Sequence, residues 1–144
     1  MIRAHFDAVK ARLLSNPIIA GFGVYDALRV NPTGERVAAT YAVLFMGTPD
    51  ELNDNRLSGP ARPDSDAEFT AVVRSVSTTA GGVRAMQEQV LKTLVGHRLV
   101  VPGRVCSRIS LDTGASDGVP RPDESVKPVL FTADDYFEFQ SLPD

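Results

Sequence analysis

Ile2, Phe6, Val9 and Leu13 in the segment IRAHFDAVKARLL recur at steps of four, three and four, which draws one apolar stripe down a helix. Arg3, Asp7, Lys10 and Arg12 take the other faces, and His5 falls on the polar flank. Asn16-Pro17 is expected to end this helix, because the residue before a proline is pushed out of the helical region. FGVYDALRV and RVAATYAVLFMG then read as strands, residues 22–30 and 36–46, joined by NPTGE. Pro32 suits the second position of a turn and Gly34 tolerates positive φ, so a hairpin is predicted. Tyr41, Val43 and Phe45 alternate with Ala42, Leu44 and Met46, so both faces are apolar and the strand is expected inside the sheet.

From Gly47 to Ala67 the chain turns polar and rich in Asp, Asn, Pro and Gly, the pattern of an exposed loop. Periodicity returns with the strand EFTAVVRSVS, followed by the TTAGG turn and by a helical stripe of Val83, Met86, Val90 and Leu94 that Gly96 stops. RLVV and RVCSRISL read as further strands, the last carrying Ile109 and Leu111 into the core. Asp112, Gly114 and Gly118 then release the chain into a second polar loop, 112–128. DYFEFQS closes the chain as a strand with Phe137 and Phe139 inward and Tyr136, Glu138 and Gln140 outward. The expected fold is a single α+β domain over residues 1–144. Its sheet is mixed or mainly antiparallel, with two amphipathic helices packed on it and long polar loops; the strand order stays open.

Composition narrows the functions. With 144 residues, 43% hydrophobic and 23% charged, one core is expected. The 15 basic and 18 acidic residues give a net charge of -3, which offers no electrostatic grip on nucleic acid or an anionic membrane and leaves protein as the expected partner. The single cysteine, Cys106, excludes an intrachain disulfide, and no long apolar run marks a signal peptide or membrane helix, so a reducing, intracellular setting is expected.

The catalytic candidates are few. Asp112-Thr113-Gly114 follows an apolar strand as the catalytic turn of an aspartic protease does, but that chemistry needs two carboxylates sharing one proton. One copy would require a dimer, and the tail after Ala115 lacks the flap hairpin and the apolar-apolar-glycine segment that such dimers place behind the turn. A turn between strands is the simpler reading. Cys106 and His97 could pair as nucleophile and base, though a small buried cysteine explains Cys106 equally. Asp64, Asp66 and Glu68 alternate like part of a calcium loop without its glycine and distal Glu, and TTAGGV lacks the lysine of a phosphate loop. No catalytic, cofactor or metal residue is therefore assigned.

The order of elements resembles a family: the tail terminator, or tail-completion, proteins of long-tailed bacteriophages (siphoviruses), which join head and tail. The resemblance rests on IRAHFDAVKARLL, on FTAVVRSVSTTAGGVRAMQEQVLKTLVGHRLVVPGRV, where a strand runs straight into a helix ending Leu-Val-Gly, and on the Asp-bearing loop before VLFTADDYFEFQ. It implies an α+β structural protein with no enzymatic activity and no cofactor, acting as a ring, typically a hexamer. Such a ring caps the tail tube, ends its polymerisation and meets the major tail tube protein on one side and the head connector on the other. DNA passes through the lumen without specific binding. The implied location is the tail or neck of the virion, assembled in the host bacterial cytoplasm, with no membrane partner. The alternatives are a small α+β interaction or adaptor protein and a dimeric aspartic protease using Asp112.

The two polar loops depart in length from the family pattern, and long loops on a small domain reach neighbours easily. Asp50, Glu51, Arg56 and Arg62 in the first, and Asp117, Arg121, Asp123 and Glu124 in the second, are the expected carriers of intersubunit charge complementarity.

Overall fold

In the computed structural model, residues 1–51, 66–125 and 127–144 are described, Glu51 by its backbone alone. Helix α1 spans Ile2–Leu14. His5, Val9 and Leu13 are its buried residues, whereas Ile2 is 40% exposed. The expected stripe therefore holds at its C-terminal end and shifts by one residue at its start, where an imidazole replaces the apolar side chain.

Asn16-Pro17 does end α1, but it also starts a second helix that the reading of residues 22–30 as a strand did not foresee. In α2, Pro17–Phe22, the Asn16 side chain accepts the Ile18 N–H at 2.9 Å and Pro17 occupies the first turn, where its missing N–H costs nothing. Gly23, at φ 94°, stops it. The strand that follows, β1, is only Val24–Tyr25.

β1 lies beside β2, Tyr41–Met46, but parallel to it, with Val24 opposite Ala42 and Tyr25 opposite Val43. The expected antiparallel hairpin is thus overturned. The turn itself is present, with the Gly34 N–H bonded to the Asn31 carbonyl at 2.8 Å, Gly34 at φ 86°, and a lone bridge between Val30 and Arg36. Pairing goes no further, because the chain covers the sheet instead: Leu28 and Ala39 from between the strands, with Tyr25 of β1, pack on Tyr41, Val43, Val76 and Leu130. The Arg29 guanidinium sits 4.7 Å from the Tyr25 ring centre.

β3, Asp50–Glu51, pairs with β4, Ala67–Ser77, so the loop expected at 47–67 contains a short strand; the rest of that loop, 52–65, lies outside the described residues. Thr79 caps α3, Ala80–Leu94, accepting the Gly82 N–H at 3.0 Å. The expected stripe Val83, Met86, Val90 and Leu94 is wholly buried. Then come β5, Arg98–Val101; β6, Arg104–Arg108; β7, Ser110–Leu111; β8, Arg121–Asp123; and β9, Leu130–Pro143. β8 corrects the second expected loop: within residues 112–128 the chain returns to the sheet and pairs with β9. The last strand is also longer than expected, beginning at Leu130. Phe137 and Phe139 point inward as predicted.

The architecture is α+β, three helices and one mixed sheet of nine strands among the described residues, ordered β1-β2-β4-β9-β6-β5, with β3 on β4 and β7 and β8 on β9. All strand pairs are antiparallel except β1 and β2. The paired β4 and β9 form its spine. Over residues 67–74 β4 buries alternate residues because helices cover only one of its faces there: Phe69, Ala71 and Val73 join Val9, Leu13, Val90, Leu94, Phe137 and Phe139 in the main core. Tyr41 to Leu44 are all buried, as expected of a strand inside the sheet, while Phe45 is 37% exposed.

Candidate functional site

The aspartate of the protease-like motif is a turn residue. Asp112 Oδ1 accepts the backbone N–H groups of Gly114 at 3.0 Å and Ala115 at 3.2 Å, its own N–H donates to the Tyr136 carbonyl, and its carbonyl accepts from Ser116. An aspartate closing its own turn in this way is occupied by backbone donors. No second carboxylate is bonded to it among the described residues.

Where catalytic geometry was not expected, a histidine and a serine meet. His5, placed on the polar flank of α1 by its sequence position, is fully buried and stacks on Phe69 with ring centres 4.1 Å apart. Its Nε2 lies 2.8 Å from Ser141 Oγ and its Nδ1 2.7 Å from the Met1 carbonyl. A carbonyl only accepts, so Nδ1 carries the proton and Nε2 accepts from the serine hydroxyl. Arg104 Nε donates to the same hydroxyl at 2.9 Å, and another Arg104 nitrogen to the Ser141 carbonyl at 2.7 Å. Burial pushes the imidazole below its ordinary range, against the Met1 hydrogen bond, and the Arg104 charge and the amino terminus push it further down. A neutral histidine beside a serine is the contact of a nucleophile and its base. Here neither group is exposed, and the contact fastens α1 to β9.

Cys106 is buried near by, its thiol pushed up by burial and lowered less by the Ser141 hydroxyl and Arg104, so it is poorly nucleophilic. His97 is exposed, and no hydrogen bond joins it to Cys106 among the described residues. Glu68 lies in β4, not in a calcium loop. Among the described residues no group of three or more His, Cys, Asp or Glu side chains could hold a metal, and no helix is long and apolar enough to cross a membrane.

One buried carboxyl faces a groove. Asp135 is 4% exposed and accepts from Gln87 Nε2 at 3.0 Å, while the same nitrogen donates to the Gly118 carbonyl at 3.1 Å. Burial raises this carboxyl above its ordinary range, the Gln87 bond opposes that, and the charges of Asp134 and Asp117 add to it. The open groove of about 430 Å³ beside it runs between α3 and the 111–118 turn, with Arg84 and Glu88 on its rim.

The charged residues expected at an interface are distributed unevenly. Asp50 is exposed in β3, and the backbone of Glu51 pairs with Ala67; Arg56 and Arg62 lie outside the described residues. Asp117 and Arg121 are both exposed and bond each other at 3.0 Å. Asp123 is bound by Arg36 Nη1 and by Ser125, and its carboxyl lies below the ordinary range, first through Ser125 and then through Arg36. Glu124 is exposed on the turn after β8. Three of the four charges of the second loop, Asp117, Arg121 and Asp123, are thus engaged within the chain. Sequence position could not show this, since Arg36 is distant from Asp123 in the chain.

No family model and no curated protein matches the chain. Its fold recurs in solved structures. A chain of the virion of a native gene transfer agent particle superposes with a TM-score of 0.65 at 20% identity, over 94% of this chain and 92% of that one. A second solved chain superposes with a TM-score of 0.54 at 16% identity, over 96% and 94%. Both likenesses span nearly the whole of each molecule, so the fold is shared as a unit.

Proposed function

We propose that this protein is a structural, non-enzymatic component of a phage-like virion, and within that class a tail terminator. In this role it forms a ring, a hexamer, on the last tail tube ring, ends tube growth and presents its other face to the head connector, with DNA passing through the lumen. Its place is the tail or neck of the particle, assembled in the host cytoplasm. The observation that carries the reading is the whole-chain likeness to a gene transfer agent virion chain, which supports a structural place in a phage-like particle. Two features of the chain support it. The candidate catalytic groups are spent on structure: Asp112 on its turn, His5 and Ser141 on each other. One edge of the sheet also sets Arg98 of β5 opposite Arg108 of β6 and the other sets Asp50 of β3 opposite Glu68 of β4, two chemically different edges of the kind a head-to-tail ring requires of its subunit.

The test is tube polymerisation. Major tail tube protein growing in the presence of this chain should stop at a length set by the moment of addition, with the chain bound at one end. Tubes that continue to lengthen, with no chain retained on sedimentation, would overturn the assignment.

A further inference from the structure

The two edges of the sheet each carry a pair of like charges set directly opposite one another. At one edge Arg98 of β5 is the register partner of Arg108 of β6, and both are exposed. At the other, Asp50 of β3 is the register partner of Glu68 of β4. Like charges facing each other across neighbouring strands repel. In the sheet interior the chain follows the opposite rule: Arg74 and Asp134, also register partners, form a two-pronged ion pair at 2.7 and 3.0 Å. None of the ion pairs among the described residues involves Arg98, Arg108, Asp50 or Glu68. The segment 97–108 carries three arginines and no acid.

The two pairs also match in height along the strands. Glu68 stands opposite Gln140 of β9, between the rows of Glu138 and Ser141. Arg108 lies in the same bracket, because Cys106 pairs with Ser141 and Ser110 with Glu138. Arg98 and Glu68 alternate with the buried Leu99 and Phe69, which places Glu68 on the helix-free face and Arg98 at the rim of the groove that β5 makes with Ala8, Ala11, Arg12 and Ser15 of α1. Each edge adds apolar surface. Val100, Val105 and Leu142 are successive register partners, 90%, 46% and 42% exposed, and Phe45 with its partner Val72 lies towards the other edge. Among the described residues, β5 is paired only on its β6 side, and β1 pairs no further along β2 than Val43.

We infer that the occupant of each edge is a second copy of this chain: the Arg98/Arg108 edge of one subunit seats against the Asp50/Glu68 edge of the next. This contact deepens the ring reading above and rests on it. It is heterologous, so it propagates around a ring, and it relieves in the assembly the repulsion that each pair suffers in the single subunit. Asp50 was expected at an interface from its sequence; Arg98, Arg108 and Glu68 were not, and the signal that pointed to the two arginines was the one-signed charge of residues 97–108, whereas Glu68 is marked only by its register with Asp50.

Charge reversal tests it. One variant carries Arg98→Glu with Arg108→Glu, the other Asp50→Lys with Glu68→Lys, and circular dichroism checks that both fold. Sedimentation velocity at low salt, and electron microscopy on tail tube ends, read assembly. Each variant alone should assemble on the order of 100-fold more weakly than wild type. Mixed in equal amounts they should assemble again, since each reversed edge then meets an opposite one, and the fourfold variant should assemble by itself. If either variant alone forms rings as wild type does, or if the folded mixture fails, the edge contact is wrong while the ring stands. A wild-type chain that remains monomeric both in solution and with tubes overturns the ring and this contact with it.

Discussion

His5 Nε2 and Ser141 Oγ, 2.8 Å apart and 136 positions apart in the chain, join the first helix to the last strand. The contact works only with a neutral imidazole, since Ser141 already accepts from Arg104 and a second cation would be buried beside that guanidinium. Folding depresses the affinity of His5 for its proton, so the unfolded chain takes up more protons as the solution is acidified. The stabilising contribution is complete above the ordinary histidine range, about pH 6.5, and is lost as pH falls from there through the lower folded value. Thermal melts between pH 8 and 5.5 should show a falling Tm in wild type and a flatter profile in His5→Phe. At pH 8, His5→Ala should cost about 3 kcal/mol, because a buried stacked ring and its hydrogen bonds are lost together. A wild-type Tm that holds level across that range would contradict the assignment of His5 as a neutral buried group.

Asp135 has the opposite sign. Its carboxyl is raised by burial, so the fold favours the protonated form, and stability present below the ordinary carboxyl range is lost as pH rises through the folded value. Asp135→Asn keeps an acceptor for Gln87 without the buried charge. The variant should melt above wild type at pH 7, and the gain should shrink as pH is lowered into the carboxyl range. A lower Tm at pH 7 would mean that the charge itself is needed, by a cation reached through the adjoining groove.

Gly81 and Gly82 open α3 side by side yet differ in surroundings. A Cβ on Gly81 meets nothing within 4 Å, whereas one on Gly82 would lie 2.1 Å from Ser77 Oγ and 2.9 Å from Ser77 Cβ. Ser77 is buried and tied to Thr40 at 2.9 Å, so it has little room to move. Urea titration should find Gly81→Ala more stable than wild type by about 0.5 to 1 kcal/mol and Gly82→Ala less stable by about 2 kcal/mol. Equal effects at the two positions would refute the crowding argument.

Asp112 is predicted to be structural. Asp112→Asn keeps an oxygen for the Gly114 and Ala115 N–H groups and should unfold within about 0.5 kcal/mol of wild type, while Asp112→Ala should lose about 1 kcal/mol. Concentrated protein should leave an unfolded substrate intact at acid and neutral pH. Pepstatin-sensitive cleavage abolished by Asp112→Asn would restore the protease reading.

These residues also mark where the sequence was legible. Periodicity located α1, α3, β4 and the inward phenylalanines of β9 because each element's exposure repeats with its own geometry. It misplaced His5, since a polar residue is assigned outward unless its partner is visible, and Ser141 and Arg104 lie far along the chain. The Asn16-Pro17 pair was read as a stop although the same two residues cap α2, a signal that was present and weighed only one way. The parallel placing of β1 was not legible, because turn chemistry at NPTGE fixes four residues and not the strands beyond them. For the candidate site, Asp117, Arg121 and Asp123 were visible as charges but their intrachain partners were not, and the opposed charges at the two edges depend on strand register.

The most direct measurement is a cryo-electron-microscopy reconstruction of tail tubes grown with this chain. Every arrested tube should carry at one end a single hexameric ring of the chain, with the Arg98/Arg108 edge of each subunit against the Asp50/Glu68 edge of its neighbour. Tubes whose ends carry only the tube protein, with this chain monomeric in the supernatant, would contradict this assembly.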